Sequence, residues 1–457
     1  MTQENRPPKQ TLITTLQNPI LPYSVLLAGA FVVCAAIGML INSQAFYKLF
    51  FIPSEVPVFV GRSQSYYWDI SAYAAMALKS TCTAFYPLWS LLIRVLFHPQ
   101  NQAEAARGFQ VSAIALFFGS LPLLVSVFQT SIQDRVLAFL VALAYVLSPL
   151  AIFRVIGYTE GLFGVLSLGF LWALSSNPKS RPWMQMVVLC AVTALMSLTR
   201  PIMVQMIGAI AAALTTIFGF EWLKSPIGGP AFLRQLWDKY ARIITIAVLT
   251  SISAFVGYAV YGAFCLQSRG NFFAPFQDQS LWKKSIGFRP DLLLFPKSPL
   301  VDLLALYLPL LIWVVGLVVA YGNVKSAEWF MPRSPLWWML CAYPPLFILI
   351  YLVAARRKRP SPIPATAVGL ALSENYLFWF CVYFALAHSV ISFLTQDRLV
   401  SLGRYVFALP FIFLAIGILL ECFPSQKRYS LSLGLSGVSA LLLVQQWINY
   451  GYHNWLG

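Results

Sequence analysis

The sequence predicts an all-α polytopic membrane protein, and two observations carry that prediction. Of 457 residues, 59% are hydrophobic and only 10% are charged, with a mean hydropathy of +0.73. A soluble chain of this length needs a polar shell that this one lacks. The apolar residues are also gathered into runs near the ~20 residues that carry a helix across a bilayer core. These runs are 21–41, 109–128, 136–153, 162–174, 184–198, 202–218, 243–264, 303–320, 336–354, 376–394, 405–420 and 431–447. A shorter run, 85–97, fits a tilted or partial span. Together they predict roughly 11–13 transmembrane helices in one integral-membrane domain over 1–457, with no room for a large soluble unit.

The connections set the expected topology. Residues 1–19 are polar, with Arg6 and Lys9, and are expected on the cytoplasmic side, so that 21–41 leads outward. Ser43-Gln44-Ala45 resembles a weak signal-peptidase site, but the apolar run before it is long and begins well inside the chain, which predicts an uncleaved first span. Residues 42–84 form the first large outer loop. Within it, 66–77 mixes aromatic and small residues and predicts a helix lying in the membrane interface. The basic connections 177–181 and 221–242, the latter with Lys224, Arg234, Lys239 and Arg242, are expected inside. Residues 158–160, 199–201 and the loop 267–302 then fall on the outer side with Asp69. Arg356-Arg357-Lys358-Arg359 is the strongest basic cluster and is expected inside, whereas counting crossings puts it outside; a miscounted crossing or a re-entrant segment reconciles the two. Residues 360–364 form a turn-rich linker.

The net charge of +16 follows from Lys and Arg gathering in membrane-flanking loops. No basic motif sits in a soluble domain, which argues against a nucleic-acid partner. A basic outer loop also attracts a phosphate-bearing lipid. The seven cysteines, Cys34, Cys82, Cys190, Cys265, Cys341, Cys381 and Cys422, are scattered, mostly within apolar runs and without a CxxC pair; they read as small core hydrophobes. His98, His388 and His453 are too dispersed for a metal site.

Ionisable residues in an apolar setting carry the functional signal. The densest such stretch is Tyr66-Tyr67-Trp68-Asp69, followed by Tyr73 and by Thr83-Ala84-Phe85-Tyr86-Pro87-Leu88-Trp89 with Arg94. Asp69 can serve as a general base, taking the proton of an acceptor hydroxyl as its oxygen attacks a sugar carbon. In an inverting transfer one such base is enough. The structural alternative is a helix cap or a pair with Arg62. Glu160, at the head of an apolar run, can orient a hydroxyl or a basic partner, or can be a first-turn glutamate favoured by the helix dipole. Arg200, Arg398 and Arg404 can hold a lipid phosphate through their forked donors, or can be snorkelling boundary residues. His388, inside an apolar run, reads more readily as a buried core histidine.

Trp68-Asp69 followed by Ala84-Phe85-Tyr86-Pro87-Leu88 and Arg94 resembles the "WD…AFFPL…R" signature of the PIG-V family, also called GPI mannosyltransferase 2. Pro149, Phe153 and Tyr158-Thr159-Glu160-Gly161-Leu162-Phe163 are similar to that family's "P…F…YSESLF", and Thr199-Arg200-Pro201 to its "RSNG" position. Gln279, Trp282, Gly287 and Phe288 resemble its "Q..YW..GF" loop. His388 through Ser401, with Arg404-Tyr405, resembles its C-terminal motif. The matches run in order over most of the chain. Gly161 stands where the family pattern has serine, and Pro201-Ile202 where it has Ser-Asn; the compact length looks more like a bacterial relative. The resemblance implies a GT-C glycosyltransferase: a polyprenyl-phosphate sugar donor, typically mannose; a lipid or glycan acceptor; an active site on the outer or luminal side of a bacterial plasma membrane, or of the endoplasmic reticulum in a eukaryote; inversion; no cofactor and no metal. It implies Asp69 as the base, with Trp68, Tyr73, Phe85, Tyr86, Arg94, Tyr158, Glu160, Arg200, Gln279, Trp282, His388, Arg398 and Arg404 as substrate-binding residues. A transporter or lipid flippase, and a non-catalytic glycosyltransferase subunit, are the competing readings. The former predicts charges deep at mid-span and paired internal repeats; the latter predicts a dispensable Asp69.

Overall fold

The computed structural model describes residues 20–41, 69–79, 81–175, 182–224, 229–278, 287, 300–325, 372–395 and 401–451. Among them every regular element is helical. Among the described residues, seven helical stretches are long and apolar enough to cross a membrane, 102–131 counting as one. The chain is an all-α, multi-pass membrane protein.

The first span is α1 (Ile20–Ile41). Two short helices follow, α2 (Asp69–Leu78) and α3 (Leu88–Phe97). Helix α2 falls within the stretch 66–77 expected to be helical, of which 69–77 are described. Helix α3 lies in the short run 85–97; it buries Trp89, Ser90 and Ile93 and leaves Leu91, Val95, Leu96 and Phe97 exposed. Next come α4 (Gln102–Gly119) and α5 (Leu121–Ser131), nearly continuous but broken at Ser120, where Pro122 forbids the ladder from running through.

The expected run 136–153 is not one helix. Helix α6 (Arg135–Val146) stops, and a 3₁₀ turn, Ala151–Arg154, follows. Pro149 cannot continue the helix, and the buried Arg154 folds back to donate to the Tyr145 carbonyl at 2.7 Å. Helices α7 (Thr159–Ser175), α8 (Pro182–Thr199) and α9 (Met203–Lys224) match their predicted runs within a few residues.

Helix α10 (Pro230–Arg269) is 40 residues long, about 60 Å at 1.5 Å per residue, twice a bilayer core of about 30 Å. Residues 230–242, expected as a polar connection, are its first turns. Pro230, pre-set for a first helical position, starts it early. A one-turn helix α11 (Ala274–Gln277) precedes α12 (Leu300–Lys325) and α13 (Tyr376–Thr395). The last predicted spans also differ. Run 405–420 divides into α14 (Leu402–Phe407) and α15 (Phe411–Leu420), because Pro410 interrupts it. Helix α16 (Ser425–Gly451) closes the bundle.

Lipid gives helices little hydrophobic reason to associate, so close backbone packing and polar contacts hold the bundle. Helices α8 and α10 show this. A Cβ on Gly257 would overlap the Ala194 carbonyl, and the neighbouring Ser197 hydroxyl donates to the Ala254 carbonyl at 2.7 Å. A disulfide, Cys82–Cys265, ties the loop after α2 to α10 across 183 residues. This corrects the reading of all cysteines as core hydrophobes: no local spacing links a loop cysteine to a helix cysteine so far away.

The bundle has two chemically different ends. At one end, Lys224 and Lys239 both reach Glu221 and Glu374, and Glu421 accepts the Gln133 and Asp134 backbone N–H groups. Helix α12 runs toward this end and α13 starts from it. Run 336–354 and the cluster Arg356 to Arg359, between them, lie outside the described residues, as do 42–68 and 177–181. Asp134 caps α6 here, accepting from Val136 and Leu137 at 2.9 and 3.1 Å. Partial burial would raise its carboxyl. The Tyr429 hydroxyl, the Leu137 amide, Arg428 and the Val136 amide outweigh that and hold it below its ordinary range.

Asp134→Ala is expected to cost about 1 to 2 kcal/mol from the lost cap alone. A carboxyl with a lowered folded value contributes its stability above the ordinary Asp range near ~3.9 and loses it as pH falls through the folded value. Thermal unfolding in detergent should therefore separate wild type from variant at neutral pH and bring them together in acid.

Candidate functional site

At the other end, four of the predicted residues meet. Glu160 opens α7 and is fully buried, its side chain 0% exposed. In a membrane helix such a carboxylate needs cations beside it, and two arginines supply them. Arg200, in the turn between α8 and α9, places Nη1 3.2 Å from Glu160 Oε1. Arg404, on α14, brings Nε to 2.6 Å from the same oxygen, a charge contact out of line with its N–H bond. Thr159 Oγ1 donates to the other carboxylate oxygen at 3.3 Å.

Arg404 also reaches Asp69. Its Nη1 donates to Asp69 Oδ2 at 2.9 Å. Asp69 is the most exposed of the four: its side chain is 28% accessible, against 8% for Arg404. Two carboxylates and two guanidiniums thus form one chain, Asp69–Arg404–Glu160–Arg200, whose formal charges cancel. The open end is a carboxylate, and the guanidinium behind it is shared.

Aromatic rings wall the cluster. The Arg404 guanidinium lies 5.0 Å from the Tyr158 ring centroid, 5.3 Å from Phe153 and 5.4 Å from Tyr405. Arg200 lies 4.3 Å from the Tyr405 ring and 5.7 Å from Phe163. Such faces attract cations and keep water away from them. Tyr73, one turn along α2 from Asp69, packs edge-on against Phe85 and Tyr158, at 5.0 and 6.5 Å.

The segment that carries Arg404 is fixed from its backbone. Ser401 takes a left-handed conformation, φ 61°, and Asp302 in the first turn of α12 accepts the N–H groups of Ser401 and Gly403 at 3.1 and 2.7 Å. Gly403 is required by space, since a Cβ there would press on Leu150 and Val301 at 2.8 Å. Asp302, fully buried, escaped the sequence reading, because a first-turn aspartate at the head of an apolar run looks like an ordinary dipole partner.

The other predicted residues divide. His388 stacks on Tyr405, with ring centroids 5.4 Å apart and planes 12° apart, so it borders the cluster. Arg94 sits at the far end of α2 from Asp69, where its Nε and Nη2 donate to the Ala77 and Met76 carbonyls at 2.6 and 2.7 Å. Those donors cap α2. Tyr86 is buried in a separate aromatic group with Tyr261 beside the Cys82–Cys265 disulfide, its ring 5.2 Å from Tyr261. Trp68, Gln279, Trp282 and Arg398 lie outside the described residues. Among the described residues, no group of three or more His, Cys, Asp or Glu side chains converges.

Glu160→Gln is expected to be strongly destabilising, by about 3 to 5 kcal/mol, because two buried guanidiniums then share one carboxylate. Adding Arg404→Met should recover part of the loss, since the surplus charge goes too. Unfolding of the three proteins in detergent checks both signs.

No family model, no curated protein and no solved structure matches the chain.

Proposed function

We propose that the chain is a GT-C-type hexosyltransferase that moves a sugar, mannose in the first instance, from a polyprenyl phosphate to a hydroxyl of a lipid-linked or glycan acceptor. The observation that carries this reading is the buried chain of charges Asp69–Arg404–Glu160–Arg200 at one end of a membrane bundle. It supplies, side by side, a partly open carboxylate and two guanidiniums, which are the groups needed to take a proton and to receive a phosphate.

The proposed transfer is a single displacement. The Asp69 carboxylate accepts the acceptor's O–H proton, and the oxygen attacks the anomeric carbon. The new C–O bond forms as the bond from that carbon to the phosphate oxygen breaks. The electron pair leaves on the phosphate, and one displacement inverts the centre. Arg200 and Arg404 offset the charge that accumulates on the leaving phosphate. The resting cluster is neutral, so an arriving phosphodiester competes with Asp69 for Arg404. Donor binding thereby loosens the ion pair that restrains the base, coupling phosphate recognition to the proton transfer.

Two observations support a site facing away from the cytoplasm. The Cys82–Cys265 disulfide follows directly on α2, and disulfides persist in oxidising compartments. The opposite end collects Arg135, Lys224, Arg234, Lys239, Arg242, Lys427 and Arg428, as cytoplasmic flanks do. A bacterial plasma membrane, or the endoplasmic reticulum in a eukaryote, provides both conditions.

The test is transfer of radiolabel from polyprenyl-phosphate mannose into a crude lipid extract by the purified chain. Asp69→Asn is expected to lower the rate at least about 100-fold with a smaller loss of stability than Glu160→Gln, since Asp69 is the part-exposed end of the chain, Glu160 still meets both arginines, and the amide keeps the volume and a hydrogen bond to Arg404. A variant that keeps most of its activity removes Asp69 as the base.

A further inference from the structure

Two more buried side chains stand beside the charged cluster, bonded to each other and each left half-satisfied. Gln205, in the first turn of α9, and His388, on α13, are 7% and 5% exposed. Gln205 Nε2 lies 2.7 Å from His388 Nδ1. Among the described residues, Gln205 Oε1 and His388 Nε2 have no hydrogen-bond partner. Buried polar atoms are nearly always paired, so two such atoms on one bonded pair mark a place where a partner belongs.

The chemistry of that partner follows from the hydrogen-bond roles. An amide nitrogen only donates, so Nδ1 accepts, and the neutral ring then carries its proton on Nε2. The pair offers one acceptor, the Gln205 carbonyl oxygen, and one donor, His388 Nε2–H. Exchanging the amide oxygen and nitrogen reverses both roles and still leaves donor and acceptor capacity on the pair. A carboxylate only accepts and an ammonium only donates, so either would leave one side unmet. Nδ1 and Nε2 point to opposite sides of the ring, so the two atoms need separate partners, and a sugar supplies several hydroxyls that each donate and accept.

The position relates this pair to the arginines. His388 stacks on the Tyr405 ring, the ring against which the Arg200 guanidinium lies at 4.3 Å. Tyr405 directly follows Arg404, whose Nε contacts Glu160. The pair and Arg200 thus border one ring, which sets Gln205 and His388 beside the place proposed for the phosphate.

We infer that Gln205 and His388 form the hydroxyl-reading part of the donor subsite, each bonding a different hydroxyl of the sugar while Arg200 and Arg404 hold the phosphate. This rests on the lipid-phosphate sugar reading of the site. An ordered water is the other hydroxyl-type occupant, and binding measurements separate the two.

The experiment measures equilibrium binding of radiolabelled polyprenyl phosphate and of polyprenyl-phosphate mannose to the full chain in detergent. It compares wild type, Gln205→Met, His388→Leu and the double variant, each checked by its unfolding midpoint. In the double variant both partners are apolar, which leaves no orphaned group and preserves the packing. Wild type should prefer the sugar-bearing lipid by roughly ten-fold or more, since a site built to bond a hydroxyl discriminates against its absence. Each single variant should lose that preference and the double should lose no more, while the sugarless lipid binds all four alike. A sugar preference that survives in the double variant overturns the inference and leaves the pair holding water. Wild type binding both lipids equally overturns it too while the phosphate reading stands. Wild type binding neither lipid overturns both.

Discussion

A carboxylate buried at the head of a membrane helix is the constraint on which the site is built. Glu160 has no access to solvent, and an unpaired charge there is among the costliest groups a membrane protein can carry. It is tolerated because Arg200 and Arg404 meet it from two separate segments. Each arginine in turn needs more than one carboxylate can give, and aromatic faces and Asp69 supply the remainder. Four elements far apart in sequence, α2, α7, the α8–α9 turn and α14, are therefore tied to one point. Asp302 extends the arrangement by one layer, fixing the backbone that presents Arg404.

The same economy of charge explains why the bundle has two unlike ends. At the site end, acids and bases balance within a buried cluster whose most exposed described member is Asp69. At the opposite end, lysines and arginines gather around Glu221, Glu374 and Asp134 in partly exposed networks, with side chains such as Lys239 39% accessible. Those pairs are screened and individually weak; they fix helix ends. The disulfide lies with the site, where the loop after α2 meets α10, and holds the helix that starts with Asp69 against the bundle.

Much of this was legible in the sequence, for physical reasons that also mark where legibility ended. Span positions were readable because lipid imposes a length and a composition. Asp69, Glu160, Arg200 and Arg404 were readable because charge in an apolar setting is rare enough to demand an explanation, and all four converge. The errors came where a short-range rule overrode the apolar pattern. Pro149 and Pro410 broke two runs that hydropathy joins, and Pro230 began a helix inside a polar connection. Asp302 and Gln205 were missed because one polar residue in a first turn has ordinary uses. The disulfide was missed because its partners lie 183 residues apart, and Arg94 showed no sequence difference between binding a ligand and capping α2.

The claim that the two site arginines receive a lipid phosphate is open to one direct measurement. Radiolabelled polyprenyl phosphate, without a sugar, is titrated into the purified chain carrying Arg200→Gln, Arg404→Gln or, as a control at the basic end, Arg242→Gln. The account predicts that wild type and the control bind alike, and that either site variant binds at least about ten-fold more weakly, the loss of one charge-assisted contact. Equal binding by all four proteins would contradict it, and would return the cluster to a purely structural role.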